Sequence, residues 1–594
     1  MLPLAGRYAS LGGNEHEGVH AMSITPDLVI RGGTVIDGTG KPGFEADVAI
    51  AGGRIVAVGT VAAKGAEEID ARGKLVTPGF VDIHTHYDGQ AVWDSHLQPS
   101  AWHGVTTAVM GNCGVGFAPV KPGDRDRLIE LMEGVEDIPG PALHEGLKWS
   151  WESFPEYLDA LERKPRDIDI CAQLPHAALR VFVMGERATH LENATQEDIA
   201  RMRDIAEEAM RAGAIGFTTS RTISHKTLAG DPTPTLRAQE QELMGIAMGL
   251  KAAGAGMLEL VSDWHPDLEG EFAMMRRVVE ASGRPLVFSL SQRHDRTTDW
   301  LKLLALSDQA AADGVPIRPV FPPRPIGILL GLLGSQNPFS GTPTYKTLAH
   351  LPADARAAAM RDPGVRAKIL GEDPVAGSNF PLITRLGYAR MFPFGDPPEY
   401  EPAEATSLAA QAARQGVEAA AFAYDLLAEG DGSNFIFAPL TNFAEFNLAP
   451  VAEMLAHRNT LVGLSDGGAH VGFISDASFP TYLLTHWGRD RATGRLPVEE
   501  LVRRQTSDTA HAVGLHDRGV LRAGLKADVN IIDFDRLGFE RPIMKFDLPA
   551  GGRRRLQPAR GYVATIKAGQ VTYRDGVATG ALPGTLVRGA QAGG

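Results

Sequence analysis

Two histidines separated by one residue are the first candidates for chemistry in this sequence. His84 and His86 lie in the segment VDIHTHYD, at the end of an apolar run. On a β-strand, residues i and i+2 point to the same side, so both imidazoles project together while Thr85 faces the other way. Neutral imidazole is a good zinc ligand, and this pair offers two nitrogen ligands to one divalent ion. The spacing therefore predicts a metal site at the end of a strand.

The elements that must position these histidines form a repeating pattern. Apolar runs alternate with helical stretches such as Gln196 to Ala212, which is typical of βα units around a parallel sheet. The predicted strands are Gly79 to His86, Val105 to Cys113, Ile168 to Leu174, Ala214 to Ser220, Gly256 to Asp263, Pro285 to Gln292, Pro316 to Phe321 and Thr460 to Asp466. Eight such strands close an α/β fold of the (β/α)8 TIM-barrel type, whose active sites lie at the carboxyl ends of the strands.

The two ends of the chain have short β-branched runs separated by glycine turns instead. Neither end could bury a core alone, so residues 27–78 and 515–590 are predicted to pair into one discontinuous β-sandwich. Residues 79–514 then form the barrel, with an insertion at about 322–459 over its mouth. Residues 1–26 are predicted to be a disordered extension without a signal-peptide pattern.

Two stretches of the predicted insertion have assignable patterns. The apolar run Ile326 to Gly334 is predicted to be a buried helix, with the wall of an apolar pocket as the alternative. The Ala-rich stretch Ala403 to Ala428 is predicted to be helical.

Composition excludes several classes of function. The 594 residues include 58 Lys+Arg and 72 Asp+Glu, a net charge of −14, which argues against binding to the phosphate backbone of nucleic acids. The longest apolar run, Ile326 to Gly334, is far shorter than the roughly 20 residues that cross a bilayer. The chain has 2 cysteines, too few for a disulfide framework. A cytoplasmic location, without membrane or nucleic-acid partners, is the expectation.

Several segments resemble one known family. GKLVTPGFVD (Gly73–Asp82) running into the two histidines looks like the entry to the amidohydrolase superfamily, and the match continues in SDGG (Ser465–Gly468) and in the segment Gly519–Asp533. Within that superfamily, GNCG (Gly111–Gly114) and LRVFVMG (Leu179–Gly185) resemble the D-aminoacylase, or N-acyl-D-amino-acid deacylase, group. The resemblance implies a metal-dependent hydrolase of amide C–N bonds.

The resemblance also implies roles for single residues. Asp466 takes the place of the superfamily's metal-bound, proton-transferring aspartate, and Cys113 that of a cysteine metal ligand, a role that suits a thiolate. Cys171, in the middle of an apolar run, is assigned to the core. The preferred site is one zinc ion held by His84, His86 and Asp466, with Cys113 as fourth ligand or neighbour.

The sequence departs from the group at the second metal position. The histidines that relatives carry near the ends of the fifth and sixth strands are absent here, which makes a second zinc ion doubtful. Glu259 lies near the place of the fifth-strand histidine and is either an oxygen ligand or a structural contact, while Leu290 or Ser291 stands near the other. The group's His-x-Lys segment after the sixth strand, which grips a substrate carboxylate, is also missing.

Substrate-binding residues are expected in the loops that follow the barrel strands. His470, four residues past Asp466, is the first candidate and Arg221 the second. The small-molecule substrate is an N-acyl amino acid or related N-acyl amide; a cyclic-amide or lactone hydrolase and a catalytically silent ligand-binding barrel are the alternatives. The resemblance further implies a homo-oligomer.

Overall fold

The computed structural model describes residues 25–374 and 386–593. Residues 1–24 of the predicted extension lie outside the described residues. Eight parallel strands follow one another in chain order around a barrel, each paired with the next. They are Phe80–Asp82, Val105–Met110, Asp169–Pro175, Gly216–Arg221, Met257–Ser262, Leu286–Ser289, Ile317–Phe321 and Leu461–Val462. The predicted barrel is confirmed, because each observed strand overlaps a predicted one.

Backbone hydrogen bonds just beyond the paired residues of the first and eighth strands close the circle. The amide of His86 donates to the carbonyl of Gly467 over 2.7 Å, and the amide of Asp466 donates to the carbonyl of His84 over 3.2 Å. Both strands are shorter than predicted. In the eighth strand the reason is local, because Leu464 and Asp466 have φ of +60° and +50°, outside the extended region.

The interior of the barrel is apolar. One buried cluster contains a residue in, or directly before, each of the eight strands: Val81, Val109, Cys171, Ile215, Met257, Val287, Val320 and Leu461. Leu515 and Val587 from the C-terminal part of the chain belong to the same cluster. Cys171 is therefore a core residue, as predicted, and the barrel is a packed core rather than a channel.

Helices surround the barrel. Gln196–Ala212 has the predicted bounds because Thr195 caps its start by accepting a hydrogen bond from the amide of Asp198 over 3.2 Å, and Gly213 ends it with a φ of +111°. The other α-helices outside the insertion are Gln90–Trp93, Arg125–Glu136, Gly140–Gly146, Phe154–Glu162, His176–Met184, Glu186–Thr189, Glu240–Ala253, Leu268–Ser282, Asp299–Ala312, Phe479–Thr485, Val498–Arg504 and Ser507–Ala512, and Ala449–Ala456 lies at the end of the insertion, just before the eighth strand. None of the helices among the described residues is both long and apolar enough to cross a membrane.

The two ends of the chain form one mixed sheet of nine strands, which confirms that they pair. Leu75–Pro78 from the N-terminal part and Val529–Ile532 from the C-terminal part are adjacent and antiparallel in this sheet. The remaining strands are Leu28–Val35, Phe44–Ala51, Arg54–Gly59, Glu67–Asp70, Tyr562–Lys567, Gln570–Arg574 and Val577–Ala578. Two short antiparallel ribbons lie in the chain between Val529–Ile532 and Tyr562–Lys567. They are Gly538–Phe539 with Ala559–Arg560, and Ile543–Leu548 with Gly552–Leu556. The domain division at residues 27–78, 79–514 and 515–590 stays a prediction.

The segment between the seventh and eighth strands has its own small sheet. Gly327–Gly331 is a strand paired with Phe435–Pro439, which also pairs with Phe392–Phe394. The predicted helix at Ile326 to Gly334 is therefore wrong: Gly327 and Gly331 lack the side chains that would collide with the rings of the two phenylalanines across from them. The Ala-rich stretch is two helices, Leu408–Gln415 and Ala419–Ala428, divided at Gly416 with a φ of +68°. Among the described residues, these two helices are preceded by Pro343–Leu348, Ala353–Met360 and Pro363–Gly371.

A buried ion cluster joins the barrel to the terminal sheet. Asp169 begins the third barrel strand, and its Oδ2 lies 2.7 Å from Nη1 of Arg518 and 2.9 Å from Nζ of both Lys526 and Lys567. Burial alone would raise the pKa of Asp169, but the three cations outweigh it and hold the pKa below its ordinary value. The carboxylate is therefore ionised and paired inside the protein.

Replacement of Asp169 by Asn is expected to lower the free energy of unfolding by about 3–5 kcal/mol, because it removes the buried carboxylate that three cations share and leaves Arg518 to pair with Asp517 and Lys567 with Asp528. Denaturant unfolding measures the change. Glu67→Gln is the matched control: Glu67 also pairs with a C-terminal residue, Arg574, at 2.7 Å, but on the exposed surface, where a loss below about 1 kcal/mol is expected. Equal losses in the two variants would contradict the assigned role of the buried cluster.

Candidate metal centre

The two histidines and the cysteine come together at the carboxyl end of the barrel. One ligand atom from each of His84, His86 and Cys113 lies within 4.8 Å of the other two, and all three residues are buried. Cys113 Sγ is 3.4 Å from Nε2 of His84, and the imidazole centroids are 5.4 Å apart. The segment that follows the first strand therefore directs both rings to one place, and the turn that follows the second strand brings the thiol there.

Asp466 lies on the same cluster. Its Oδ1 is 3.4 Å from Nε2 of His84 and 3.6 Å from Nε2 of His86. Hydrogen bonds between the two strand ends place the carboxylate there, since the amide of Asp466 is held by the carbonyl of His84. The carboxylate thus faces the same edge of both imidazoles.

Glu259, at the fifth strand, completes the other side of the cluster. Its Oε2 accepts a hydrogen bond of 3.1 Å from the amide of Cys113, and its Oε1 lies 3.9 Å from Nδ1 of His84. Oε1 is buried and has no hydrogen-bond partner among the described residues. Glu259 therefore both positions the cysteine and presents a free carboxylate oxygen near the histidine.

Glu136, which no sequence pattern predicted, lies between His86 and His470. It is the last residue of the helix Arg125–Glu136 and is buried. Its Oε1 is 3.3 Å from Nδ1 of His86, and its Oε2 is 3.5 Å from Nε2 of His470. A carboxylate beside Nδ1 favours the tautomer that leaves Nε2 free to bind a metal. In the sequence this residue is one of many acids on amphipathic helices, so no local signal marks it.

The same helix end holds the loop that follows the eighth strand. The amide of His470 donates to the carbonyl of Glu136. Asp137 accepts hydrogen bonds from the amide of Gly472 over 2.9 Å and from the hydroxyl of Ser335 over 2.6 Å. Loop residues 470–472 are therefore fixed by two consecutive acids of a distant helix.

Three residues of the centre adopt the left-handed region that L-residues rarely occupy. The φ angles are +56° at Cys113, +50° at Asp466 and +48° at His470. Such conformations cost of order 1–3 kcal/mol each and persist only where surrounding contacts impose them. Here the contacts with Glu259 and Glu136 and the barrel-closing hydrogen bonds impose them.

The electrostatics of the cluster fit a bound cation. Burial lowers the pKa of His84 and His86 to about 3, so both imidazoles are neutral and available as ligands. Burial raises the pKa of Cys113 well above its ordinary value and that of Glu259 to about 8. A buried set of neutral imidazoles, a thiol and several carboxyls without a cation is unfavourable, and a divalent ion bound among them would offset that cost.

The two predicted substrate-binding residues have different surroundings. His470 is half-buried and contacts the cluster through Glu136. Arg221, at the end of the fourth strand, instead pairs with Glu271, at 3.1 Å between Nη2 and Oε2, and donates to the carbonyl of Ala238. The structure therefore brings His470 to the centre and holds the guanidinium of Arg221 in a separate ion pair.

Comparison with known proteins gives the family. A model of the amidohydrolase family matches residues 67–573. The chain belongs to the amidohydrolase family. The match contains both histidines, Cys113, Glu136 and Asp466.

Particular amidohydrolases are similar over most of their length. D-aminoacylase from Alcaligenes xylosoxydans xylosoxydans is 28% identical over 528 residues, which cover 87% of this chain and 90% of the relative. A solved D-aminoacylase structure has a TM-score of 0.63 at 23% identity, and the match covers 95% of this chain and all of the other. That D-aminoacylase is described as having a binuclear metal centre with one-metal activation and second-metal attenuation. N-acyl-D-glutamate deacylase from Bordetella bronchiseptica, complexed with zinc and a phosphonate inhibitor, has a TM-score of 0.62 at 24% identity, with the same coverage.

Replacement of Glu136 by Gln is expected to weaken the binding of a divalent metal ion, with zinc as the probe, by about 10- to 100-fold, because it removes the carboxylate beside Nδ1 of His86. Competition with a chromophoric chelator measures the affinity. Glu130→Gln is the control, since Glu130 lies exposed on the same helix. If Glu136→Gln, folded as judged by its melting temperature, holds zinc as tightly as the wild type, the carboxylate has no such role.

Proposed function

We propose that this amidohydrolase uses zinc to hydrolyse the amide C–N bond of an N-acyl amino acid. The observation that carries the proposal is the convergence of His84, His86 and Cys113 within 4.8 Å, with the Asp466 carboxylate within 3.6 Å of both imidazoles. Imidazole, thiolate and carboxylate are zinc's usual ligands. The similarity to D-aminoacylase and N-acyl-D-glutamate deacylase supports N-acyl-D-amino acids as the substrate class.

The residues of the chain divide the work in this mechanism. His84, His86, Asp466 and Cys113 would hold the ion, which when bound polarises the substrate carbonyl and lowers the pKa of a water molecule to about 7. Asp466 accepts the proton of the attacking water and delivers it to the departing nitrogen, which leaves as an amine. The water's oxygen becomes part of the carboxylic acid product.

Asp466 suits this proton transfer for two reasons. Burial raises its pKa above the ordinary value of a carboxyl, although His84 and His470 partly oppose the shift. A carboxyl group whose pKa is closer to neutrality accepts the proton of water more readily in the first step and can still release it to the nitrogen in the second. The left-handed backbone at Asp466 and the hydrogen bond to the carbonyl of His84 hold the carboxylate at one edge of the imidazole pair.

One zinc ion per chain is the proposed content. Near the end of the sixth strand, Leu290 and Ser291 offer no imidazole, and the fifth strand supplies Glu259 where a second histidine ligand would stand. The similar D-aminoacylase described by one-metal activation supports a working centre with a single ion. Glu259 then positions Cys113 by accepting a hydrogen bond from the Cys113 amide at Oε2. Its Oε1 would be a further oxygen ligand for the ion.

The cellular location and the oligomeric state of the enzyme are also proposals. Both cysteines are free and buried, which supports a cytoplasmic location. We propose a homo-oligomer with small-molecule amide substrates, and size-exclusion chromatography with light scattering determines the number of chains.

Replacement of Asp466 by Asn is expected to lower kcat/KM by at least about 100-fold on any N-acyl amino acid that the wild type cleaves, because the amide accepts no proton. A zinc-loaded screen of N-acyl amino acids of both hands, neutral amides and cyclic amides finds the substrate. Asp308→Asn is the control, since Asp308 pairs with His457 away from the centre. Full activity of Asp466→Asn, or cleavage of cyclic amides alone, would overturn the proposed function.

The zinc content of the purified protein is expected to be about one per chain, and a chelator is expected to abolish hydrolysis until zinc is restored. Elemental analysis measures the content. His84→Ala should lose most of the ion, whereas His457→Ala, which alters a distant histidine, should keep it. Two tightly held ions per chain would show that the centre is binuclear despite the missing histidines.

A further inference from the structure

Arg555 has a buried guanidinium group without a hydrogen-bond acceptor. It lies on the strand Gly552–Leu556, and the residue is 3% exposed. Among the described residues, neither Nε nor Nη1 nor Nη2 has a hydrogen-bond partner. A guanidinium carries five N–H donors, and a buried cation that is neither paired nor hydrogen-bonded is strongly unfavourable. A ligand with the opposite charge would offset that cost.

The surroundings of this guanidinium keep its donors free. The ring of Phe435 lies 4.6 Å from the guanidinium carbon, so an aromatic group supports the cation without accepting a hydrogen bond. A Cβ on Gly334 would lie 2.8 Å from Nη2, and the glycine leaves that space open. The planar fork of an arginine held in this way matches a carboxylate, which it binds through two parallel hydrogen bonds.

Neighbouring acids are already committed to other groups. Asp137 accepts hydrogen bonds from the hydroxyl of Ser335 and from the amide of Gly472, at 2.6 and 2.9 Å, and among the described residues it accepts none from Arg555. Burial lowers the pKa of Arg555 to about 9, and the charge of Asp137 offsets only part of that effect. Arg554, the preceding residue, is already paired with Asp547 at 2.7 Å.

Arg555 lies beside the metal centre. Its amide donates to the carbonyl of Val471 over 2.6 Å, so its strand runs along the loop that begins at Asp466. A single cavity is lined by Asp466, Gly468, Val471 and Arg555 together. The cavity therefore has both Asp466, the proposed proton-transferring residue, and Arg555 among its lining residues.

We propose that Arg555 is a binding site for a carboxylate group. Two sources have that chemistry: the carboxylate of the N-acyl amino acid that is hydrolysed, which rests on the proposed function, and a free carboxylate such as acetate. In the first case Arg555 makes the enzyme prefer N-acyl amino acids with a free carboxylate to the matching neutral amides. Arg555 then binds the substrate carboxylate in place of the group's usual His-x-Lys segment, which is missing here.

The test compares a carboxylate with its neutral counterpart. Calorimetry on zinc-loaded, full-length Asp466→Asn protein, which does not consume the ligand, measures the binding of N-acetyl-leucine of each hand, of the matching primary amides and of acetate. With Arg555 present, at least one acid is expected to bind about ten-fold or more tightly than its amide. Arg555→Met should bring the ratio to about one, and Arg555→Lys should restore part of it.

Arg553→Met is the matched control, because it removes the same charge two residues earlier from a side chain that donates to Ser335 over 3.3 Å. It should leave the ratio unchanged. Arg555-dependent binding of acetate alone supports the site and assigns it to a free carboxylate. An unchanged ratio in Arg555→Met, or an equal reduction in Arg553→Met, overturns it.

Melting temperatures separate this role from a structural one. Arg555→Met is expected to melt no lower than the parent protein, because it removes an unpaired buried cation, and to lose the stabilisation that the acid provides. Lower melting with an unchanged acid-to-amide ratio overturns the proposal. Acid-selective binding by a wild type that hydrolyses no substrate refutes the proposed function only. Hydrolysis, together with the same acid preference in Arg555→Met as in its parent protein, refutes the Arg555 site only.

Discussion

The closure of the barrel between its first and last strands is the constraint on which the metal centre depends. Hydrogen bonds between the backbones of residues 84–86 and 466–467 bring two histidines and an aspartate from opposite ends of the barrel sequence to one point. A one-residue slip in that pairing would put Ser465 or Gly467 in the place of Asp466, because these hydrogen bonds set which residue lies opposite the two histidines. The apolar cluster inside the barrel, with a residue in or directly before each strand, favours this register because a slip would turn those side chains out of the core.

The centre gains its geometry at a cost that other contacts offset. Cys113, Asp466 and His470 have left-handed backbones, and several acidic groups are buried together. Glu259 holds the amide of Cys113, while Glu136 and Asp137 at one helix end hold the loop at residues 470–472. The supporting residues therefore act as a rigid frame around ligands that would not adopt these positions alone.

The C-terminal part of the chain has two functions in this fold. Its strands complete the terminal sheet, and its lysines and Arg518 neutralise Asp169 at the base of the third barrel strand. Its hairpin at residues 543–556 reaches the loop after the eighth strand and brings Arg555 to the cavity beside Asp466. A segment predicted only as part of a sandwich thus contributes to the wall of the candidate site.

Local pattern determined much of this protein. The alternation of apolar runs and amphipathic helices was sufficient to predict eight barrel strands, and the cap at Thr195 and Gly213 sets the ends of one helix within the sequence itself. The spacing of His84 and His86 predicted a shared direction for the two rings. Contacts between distant segments decided the rest: the strand at Gly327–Gly331, the left-handed turn at Asp466, and the positions of Glu136 and Arg555. An apolar run such as Gly327–Gly331 is by itself compatible with either a strand or a helix. Periodicity reports which side of an element is buried, but it does not report which distant residue that side will meet.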